Sequence, residues 1–302
     1  MVFKSGFITI VGRPNVGKST LLNLLTGEKV AIMSNKPQTT RHIIRTVLTT
    51  EEYQMVFVDT PGIHKPKNKL GQYMMQEALS TFEGVDLILF MVDARDKKIG
   101  PGDSMIIEEI EKAGLPAILL INKIDLAEKD SLLPLIAQYN EAYDFDEIIP
   151  VSALDSRTRT LILDAVKKLL PEGDLYYPED MLTDQQEKVI AQELIREKLL
   201  NLLSDEVPHG IGVEVIRFKE KDDKEIIEID ANIYCEKESH KGIIIGKGGK
   251  VLKRAGTLAR QDMERLFDSK VFLQLWVKVK DDWRNDDFML NELGYNEKKG
   301  FS

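Results

Sequence analysis

In the first half of the chain, apolar residues cluster in short strand-like runs at 7–11, 43–49, 55–59, 87–93, 117–122 and 148–151. Runs of this length without polar alternation predict strands buried on both faces. Between them, apolar positions recur at helical spacing, over 70–81, 103–112 and 132–143 among others, and Glu51-Glu52 turns a hairpin at one edge. Such alternation through residue 170 predicts a mostly parallel, doubly wound α/β sheet with ligand loops at its strand carboxyl ends. It stops at 171–182, PEGDLYYPEDML, read as a linker. A second, α+β unit opens near Thr183 with a long amphipathic helix over 185–203. Strands at 212–219 and 225–235, an apolar turn, a glycine loop, a helix at 251–267 and a strand at 271–279 follow.

A chain of 302 residues fits about two domains, and 43% apolar with 30% charged residues is ordinary for a soluble globular protein. No apolar run is long enough to span a bilayer, and the short run after Lys4 suits a first strand better than a signal peptide. The one cysteine, Cys235, excludes an internal disulfide and fits a reducing compartment. His42, His64, His209 and His240 are scattered without metal-ligand spacing. The expected location is cytoplasmic.

The run at 7–11 leads directly into GRPNVGKS: Gly12, Arg13, Pro14, Asn15, Val16, Gly17, Lys18 and Ser19, with Thr20 next. The pattern G-x-x-x-x-G-K-[ST] arises by chance in roughly one chain in a hundred of this length. Here it stands between a strand and a helix, where backbone N–H groups and the helix's positive end cradle a polyphosphate. Lys18 reaches the outer phosphates and the Ser19 hydroxyl ligates Mg²⁺. The base is chosen by Asn122, Lys123 and Asp125, at the end of the run 117–121. An Asp carboxylate accepts from both N1–H and the exocyclic amine of guanine, a donor pair adenine lacks, so GTP is the expected ligand. Asn122 ties the loop together and Lys123 lies over the base. Asp59, Thr60, Pro61 and Gly62 end another strand, where Asp59 holds Mg²⁺ through water and the Gly62 N–H meets a γ-phosphate. Ser152 and Ala153 supply a further loop, with the Ala153 N–H offered to the guanine carbonyl.

The segment 35–41, NKPQTTR, is polar and aperiodic, as expected of a first switch whose threonine joins Mg²⁺; Thr40 is the choice, Thr39 its competitor. The second switch is read at 63–71, where Pro66 discourages helix. Ile63 stands directly after the Gly62 glycine, a place where Ras-like enzymes carry a water-orienting glutamine, so intrinsic hydrolysis is expected to be slow. Asn15 has two readings, a side-chain ligand for K⁺ beside the phosphates or a simple turn residue. Lys18, Asn15, Thr40 and Gly62 form the candidate catalytic set.

The glycine loop Gly246-Lys247-Gly248-Gly249 sits between an apolar turn and a helix, the arrangement of a KH domain, whose glycines admit a nucleic-acid backbone. No Asp or Glu occurs from Lys241 to Arg260, although the chain's net charge is −9. One basic strip on an acidic protein predicts local nucleic-acid binding. The candidates for RNA contact are Lys241, Gly242, Ile245, Gly246, Lys247, Gly248, Gly249, Lys250 and Lys253. Trp283 and Arg284 either clamp RNA or bury the Trp at the end of the sheet.

With GRPNVGKS, QTTR, DTPGIHKP, NKID and VSAL in one half and IREK, HKGIIIGKGGKVLK and VKVKDDWRND in the other, the chain resembles the Era family of bacterial GTPases along its whole length. The resemblance implies a Ras-like P-loop GTPase domain (1–170), a linker (171–182) and a type II KH domain with a C-terminal tail (183–302). It further implies GTP/GDP and Mg²⁺ as ligands, and binding of 16S rRNA near its 3′ end in 30S ribosomal subunit assembly. Loose peripheral association with the inner membrane, a monomeric state, no role for DNA, and a nucleotide-dependent relation between the domains also follow from it. The segment 155–160, DSRTRT, departs from the glycine-containing turn usual in the family. A largely non-catalytic, nucleotide-dependent RNA-binding adaptor is the alternative that Ile63 leaves open.

Overall fold

The computed structural model describes residues 2–27, 34, 36, 39–204, 207–221 and 226–295. Asn35, Pro37 and Gln38 of the expected first switch, Glu225 and the tail beyond 295 lie outside the described residues.

The first unit runs β1 (Lys4–Val11), α1 (Lys18–Thr26), β2 (Ile44–Thr49), β3 (Tyr53–Asp59), α2 (Lys69–Ser80), β4 (Leu87–Asp93), α3 (Pro101–Ala113), β5 (Ala117–Asn122), α4 (Lys129–Ala142), β6 (Glu147–Val151) and α5 (Arg157–Leu169). Its sheet has the order β2-β3-β1-β4-β5-β6. Only the β2–β3 hairpin is antiparallel. The period of two explains why β4 reads as an unbroken apolar run: Leu87, Leu89 and Met91 join the core under α1 and α5, while Ile88, Phe90 and Val92 join the core under α3 and α4. Helix α4 starts at Lys129, three residues before the expected 132, because its first turn, Lys129-Asp130-Ser131, carries no apolar position for periodicity to register. Within the departing segment 155–160, Arg157 already belongs to α5.

The second unit runs α6 (Glu187–Leu202), β7 (Gly212–Lys221), β8 (Ile226–Cys235), α7 (Glu238–Ile245), α8 (Lys250–Leu266), β9 (Lys270–Val279) and α9 (Asp287–Glu292). Its three strands lie in the order β7-β8-β9, with β7–β8 antiparallel and β8–β9 parallel. Helices α6, α7 and α8 cover one face, over Val213, Val215, Ile229, Ala231 and Ile233. The segment between the units is tied to the edge of the first sheet: Val47 N–H donates to the Leu182 carbonyl (2.8 Å) and Gln54 Nε2 to that of Tyr177 (2.9 Å).

Helix α6 differs from its expected amphipathic form. Its polar residues Gln192, Glu193, Arg196 and Glu197 are buried together with its apolar ones. They face protein, because the other side of the helix lies against the first unit and the tail.

Candidate functional site

A cavity of about 500 Å³ opens at the carboxyl ends of the first sheet, lined by Pro14, Asn15, Gly17, Lys18, Ser19, Thr20, Thr39, Thr40, Gly62, Asn122, Lys123, Asp125, Ser152 and Ala153. Sequence motifs more than a hundred residues apart converge because parallel strands deliver their following loops to one end of the sheet. Ser34, Arg95, Leu126 and Leu154 also line the cavity. Ser34, Arg95 and Leu126 belong to no motif, whereas Leu154 ends VSAL; adjacency to the strand-end residues Asp93 and Asn122 was the available signal for Arg95 and Leu126.

Loop conformation is set by local demands. Asn15 takes φ 66°, a left-handed value that Asn tolerates. Gly17 has φ 111°, and a Cβ there would lie 2.4 Å from Asn122 Nδ2. Lys18 Nζ donates to the carbonyls of Gly12 (3.0 Å) and Arg13 (3.2 Å). Burial lowers its pKa to about 8, although Asp59 nearby favours the charged form. Arg13 braces the loop from outside, donating to Asp103 (2.8 Å) and pairing with Asp96. Val16 is buried in the sheet core.

Three oxygens meet beside Lys18. Ser19 Oγ and Thr40 Oγ1 lie 2.9 Å apart and donate to Asp59 Oδ2 at 2.9 and 3.1 Å. Asp59 is fully buried, its Oδ1 has no hydrogen-bond partner, and burial raises its pKa. Two hydroxyls around a carboxylate with one oxygen unmatched form a hard, anionic donor set that fits Mg²⁺. Thr39 is turned the other way, its hydroxyl donating to the Lys36 carbonyl (2.7 Å). Gly62 presses on the loop so closely that a Cβ would lie 2.7 Å from the Pro14 backbone. The Thr60 hydroxyl points inward, to the Ile10 carbonyl (2.8 Å). Ile63 is fully buried and its N–H donates to the Gly12 carbonyl (3.1 Å), so its side chain serves the core.

On the base side, Asn122 Nδ2 donates to the Val16 carbonyl (2.7 Å) and its Oδ1 accepts from Ala153 N–H (2.9 Å). The Ala153 amide expected to meet guanine is thus donated to Asn122 here, because the Val16 contact fixes Asn122 with its oxygen towards that loop. Lys123 donates to the Asn15 carbonyl and to Asp93 Oδ2 (2.8 Å). Burial alone would raise the Asp93 pKa, but the bonds from Arg95 and Lys123 outweigh it and hold Asp93 ionised, well below the usual carboxylate range.

The second unit grips both switch segments. Arg196 donates to the Thr39 carbonyl and, through Nε, to Glu193 (3.0 Å). Both side chains are buried, and Arg196 holds the Glu193 pKa down against the burial that would raise it. Arg41 donates to the Ile211 carbonyl (2.7 Å) and lies 5.7 Å from the ring centre of Trp283. His42 stacks on Tyr295 (4.6 Å between centroids). Helix α2 buries Leu70, Tyr73 and Met74 against Met289, Leu290 and Leu293 of the tail. Trp283 is fully buried and donates to the Gly210 carbonyl (2.9 Å), while Arg284 pairs with Glu236 (2.7 Å). Of their two readings, burial is the one observed, since the tail has to close over the switch helix.

A second hollow, about 360 Å³, lies between α8 and β9 beside the glycine loop and is lined by Gly249, Leu252, Lys253, Gly256, Thr257, Arg260, Leu273 and Leu275. Gly246, Gly248 and Gly249 take φ of 72°, 61° and 75°, and a Cβ on Gly246 would lie 2.4 Å from Val251. Of the expected RNA contacts, Gly249 and Lys253 line the hollow, and Lys247 and Lys250 are exposed on either side of Gly248-Gly249. Gly242 is exposed, and Lys241 and Ile245 are half-buried, on and beside α7. Arg260 closes the basic strip read from the sequence, while Leu252, Gly256 and Thr257 were missed; their spacing on α8 was the signal that finds them. Leu273 and Leu275 come from another strand, which no local spacing reveals. Among the described residues no His, Cys, Asp and Glu cluster suits a metal, and no helix is long and apolar enough to cross a membrane.

A phosphate loop, a guanine-specifying loop and two switch segments at the end of a parallel sheet, joined to a glycine-loop RNA fold, define a P-loop GTPase carrying a KH domain. Family models agree: one described as 50S ribosome-binding GTPase matches residues 7–123, and one for the KH domain matches 206–284. The chain is 57% identical to GTPase Era of Ruminiclostridium cellulolyticum over 99% of this chain and 100% of that one. It is 55% identical to GTPase Era of Clostridioides difficile over 98% of this chain and 100% of that one. A crystal structure of Era with MgGDPNP and nucleotides 1506–1542 of 16S ribosomal RNA superimposes with a TM-score of 0.92 at 41% identity, covering 97% of this chain and 99% of that one. An Aquifex aeolicus Era variant bound to GDP and AlF4⁻ matches equally, with a TM-score of 0.92 at 41% identity over 97% and 99% of the two chains. The chain belongs to the Era family of GTPases.

Proposed function

We propose that this GTPase uses its nucleotide state to control RNA binding, with 16S rRNA near its 3′ end as the RNA and assembly of the 30S subunit as the process. Residues 1–170 form the GTPase domain, 171–182 the linker, and 183–302 the KH domain with its tail. The observation that carries the coupling is that Arg196 of the KH domain holds the Thr39 carbonyl, one residue from Thr40 beside Asp59 and Ser19. Ser19, Thr40 and Asp59 would hold Mg²⁺, which when bound neutralises charge on the β- and γ-phosphates. Lys18 and the N–H groups of the loop and Gly62 bind the phosphates. Asp125 selects guanine and Asn122 ties the loop together, with Lys123 fixed over the base by Asp93. No side chain at position 63 orients water, so the intrinsic rate is slow. Asn15 would be the side-chain ligand for a K⁺ beside the phosphates; equal hydrolysis rates in K⁺ and Na⁺ would remove that role and leave it a turn residue.

The RNA reading is supported by the Era complex with 16S nucleotides 1506–1542, a fragment far longer than the roughly four nucleotides a glycine loop clamps. The protein acts as a monomer that associates peripherally with the inner membrane. Crosslinking and sequencing of RNA bound in cells tests this. Reads concentrated at the 3′ end of 16S rRNA, and lost in a Gly246→Asp, Gly248→Asp variant, support it; diffuse reads unaffected by the variant overturn it.

A further inference from the structure

Along the outer face of β9, away from the helices, every second residue is exposed: Lys270, Phe272, Gln274, Trp276 and Lys278. Phe272 and Trp276 keep 53% and 42% of their surface in solvent. Their register partners on β8 are Glu228 and Asn232, whose polar groups turn to β7, Glu228 to Arg217 (2.7 Å) and Asn232 to Glu214 (3.1 Å). Strand β9 is also the edge of its sheet. A ten-residue edge strand with two exposed aromatics is an aggregation hazard unless a partner covers it.

The composition selects the partner. Two aromatic rings bracketed by cations, with an amide between them, match single-stranded nucleic acid, whose bases stack and whose phosphates need positive charge. The carboxylates of β8 beside the strip, Glu228 and Asp230, face Arg217 at 2.7 and 4.0 Å. Leu273 and Leu275, on the other face of the same strand, line the hollow beside the glycine loop, so the strip and the hollow flank one free strand edge. A chain leaving the hollow reaches the outer face across one free strand edge, a distance of about 5 Å.

We propose that the outer face of β9 is a second RNA subsite. In it Phe272 and Trp276 stack on bases beyond the glycine-loop groove, and Lys270 and Lys278 take the adjoining phosphates. The four-residue spacing sets the rings about 13 Å apart, with Gln274 between them to meet a base edge. This subsite rests on the RNA-binding reading above.

The chain has two tryptophans, and Trp283 is fully buried, so emission accessible to acrylamide reports Trp276. The probes are two single-stranded RNAs from the 3′ end of 16S rRNA, of about four and about twelve nucleotides, bound to the full chain. The longer RNA shields Trp276 from acrylamide and the tetranucleotide does not. Phe272→Ala and Trp276→Ala each weaken the longer RNA about tenfold while Trp276→Phe restores most of the loss. Tetranucleotide affinity, GTP hydrolysis without RNA and the melting temperature stay unchanged in all three. Equal affinity of wild type and variants for the longer RNA, with Trp276 still quenched, overturns the subsite alone. Failure of the tetranucleotide to bind wild type overturns the groove reading and the subsite with it. Shielding of Trp276 that grows with protein concentration in the absence of RNA assigns the face to a second copy of the chain and overturns the proposal.

Discussion

Strands β4 and β9 read alike in the sequence, LILFMVD and KVFLQLWVKV, both apolar and rich in strand formers, yet β4 is buried at all seven positions and β9 at one of ten. Helices cover both faces of the first sheet, so no polar group survives along β4 and its chemistry is displaced to Asp93 at the strand end. Helices cover one face of the second sheet, so β9 keeps a free face and a free edge, and recognition runs along the strand instead. A site at strand ends is small, deep and fixed by hydrogen bonds from many loops. A site along a strand edge is open and depends on a few glycines and cations. Arg196 connects the two, reaching from α6 of the second unit to the carbonyl beside Thr40.

The largest effect is expected at that joint. Arg196→Met leaves Glu193 buried and unpaired and should destabilise the chain by about 3–5 kcal/mol, whereas Arg196→Met with Glu193→Leu should recover most of the loss. Urea denaturation of the two variants checks this, and an equal loss in both would mean that packing of α6, not charge pairing, holds the joint. Next in size, Gly246→Asp with Gly248→Asp should weaken RNA binding by roughly a hundredfold, since each carboxylate opposes a phosphate, and leave GTP affinity intact. A matching fall in GTP affinity, measured by titration with a fluorescent analogue, would show that the two sites are not separable.

A smaller, pH-dependent effect belongs to the nucleotide cavity alone. Lys18 is held at about 8 by burial, and a bound triphosphate needs its ammonium. GTP affinity should be flat below pH 8 and fall by up to about tenfold per unit above it. The folded pKa lies below the unfolded one, so the unfolded chain binds the extra proton and stability rises with pH over the same window; the lost affinity is therefore not unfolding. RNA affinity of the nucleotide-free chain should show no such step. The smallest effect is expected from Asp93→Asn, which weakens the hold on Lys123 and should cost about 1 kcal/mol in both GTP and GDP affinity by calorimetry.

Much of the cavity was legible because its residues act locally. Gly17 must take a positive φ, Asn122 must reach the loop, and Asp125 must match guanine; each demand fixes a residue type at a spacing, which a motif records. Arg95 was not legible, since the strand end at Asp93 beside it carries no motif that marks the cavity it lines. On the KH side, the glycine loop and the basic strip were visible for the same local reason. Leu273 and Leu275 were not, because their role depends on which helix lies across β9. The short turn before α9, which buries Trp283 beneath Arg41, was open to two readings, as an aromatic beside an arginine looks the same on a surface and in a core.

By itself the sequence determined the order of strands and helices, the phosphate loop, the choice of guanine and the presence of a glycine-loop RNA fold. These depend on backbone conformation and side-chain chemistry over a few residues, and such constraints are written in consecutive positions. Only the tertiary structure decided what the polar face of α6 meets, which threonine turns to Asp59, and which face of β9 stays open. A polar residue at helical spacing has the same pattern whether its partner is water or another domain, and a strand has the same pattern whether one face or two are covered. Those outcomes are set by surfaces that the fold brings together from distant parts of the chain.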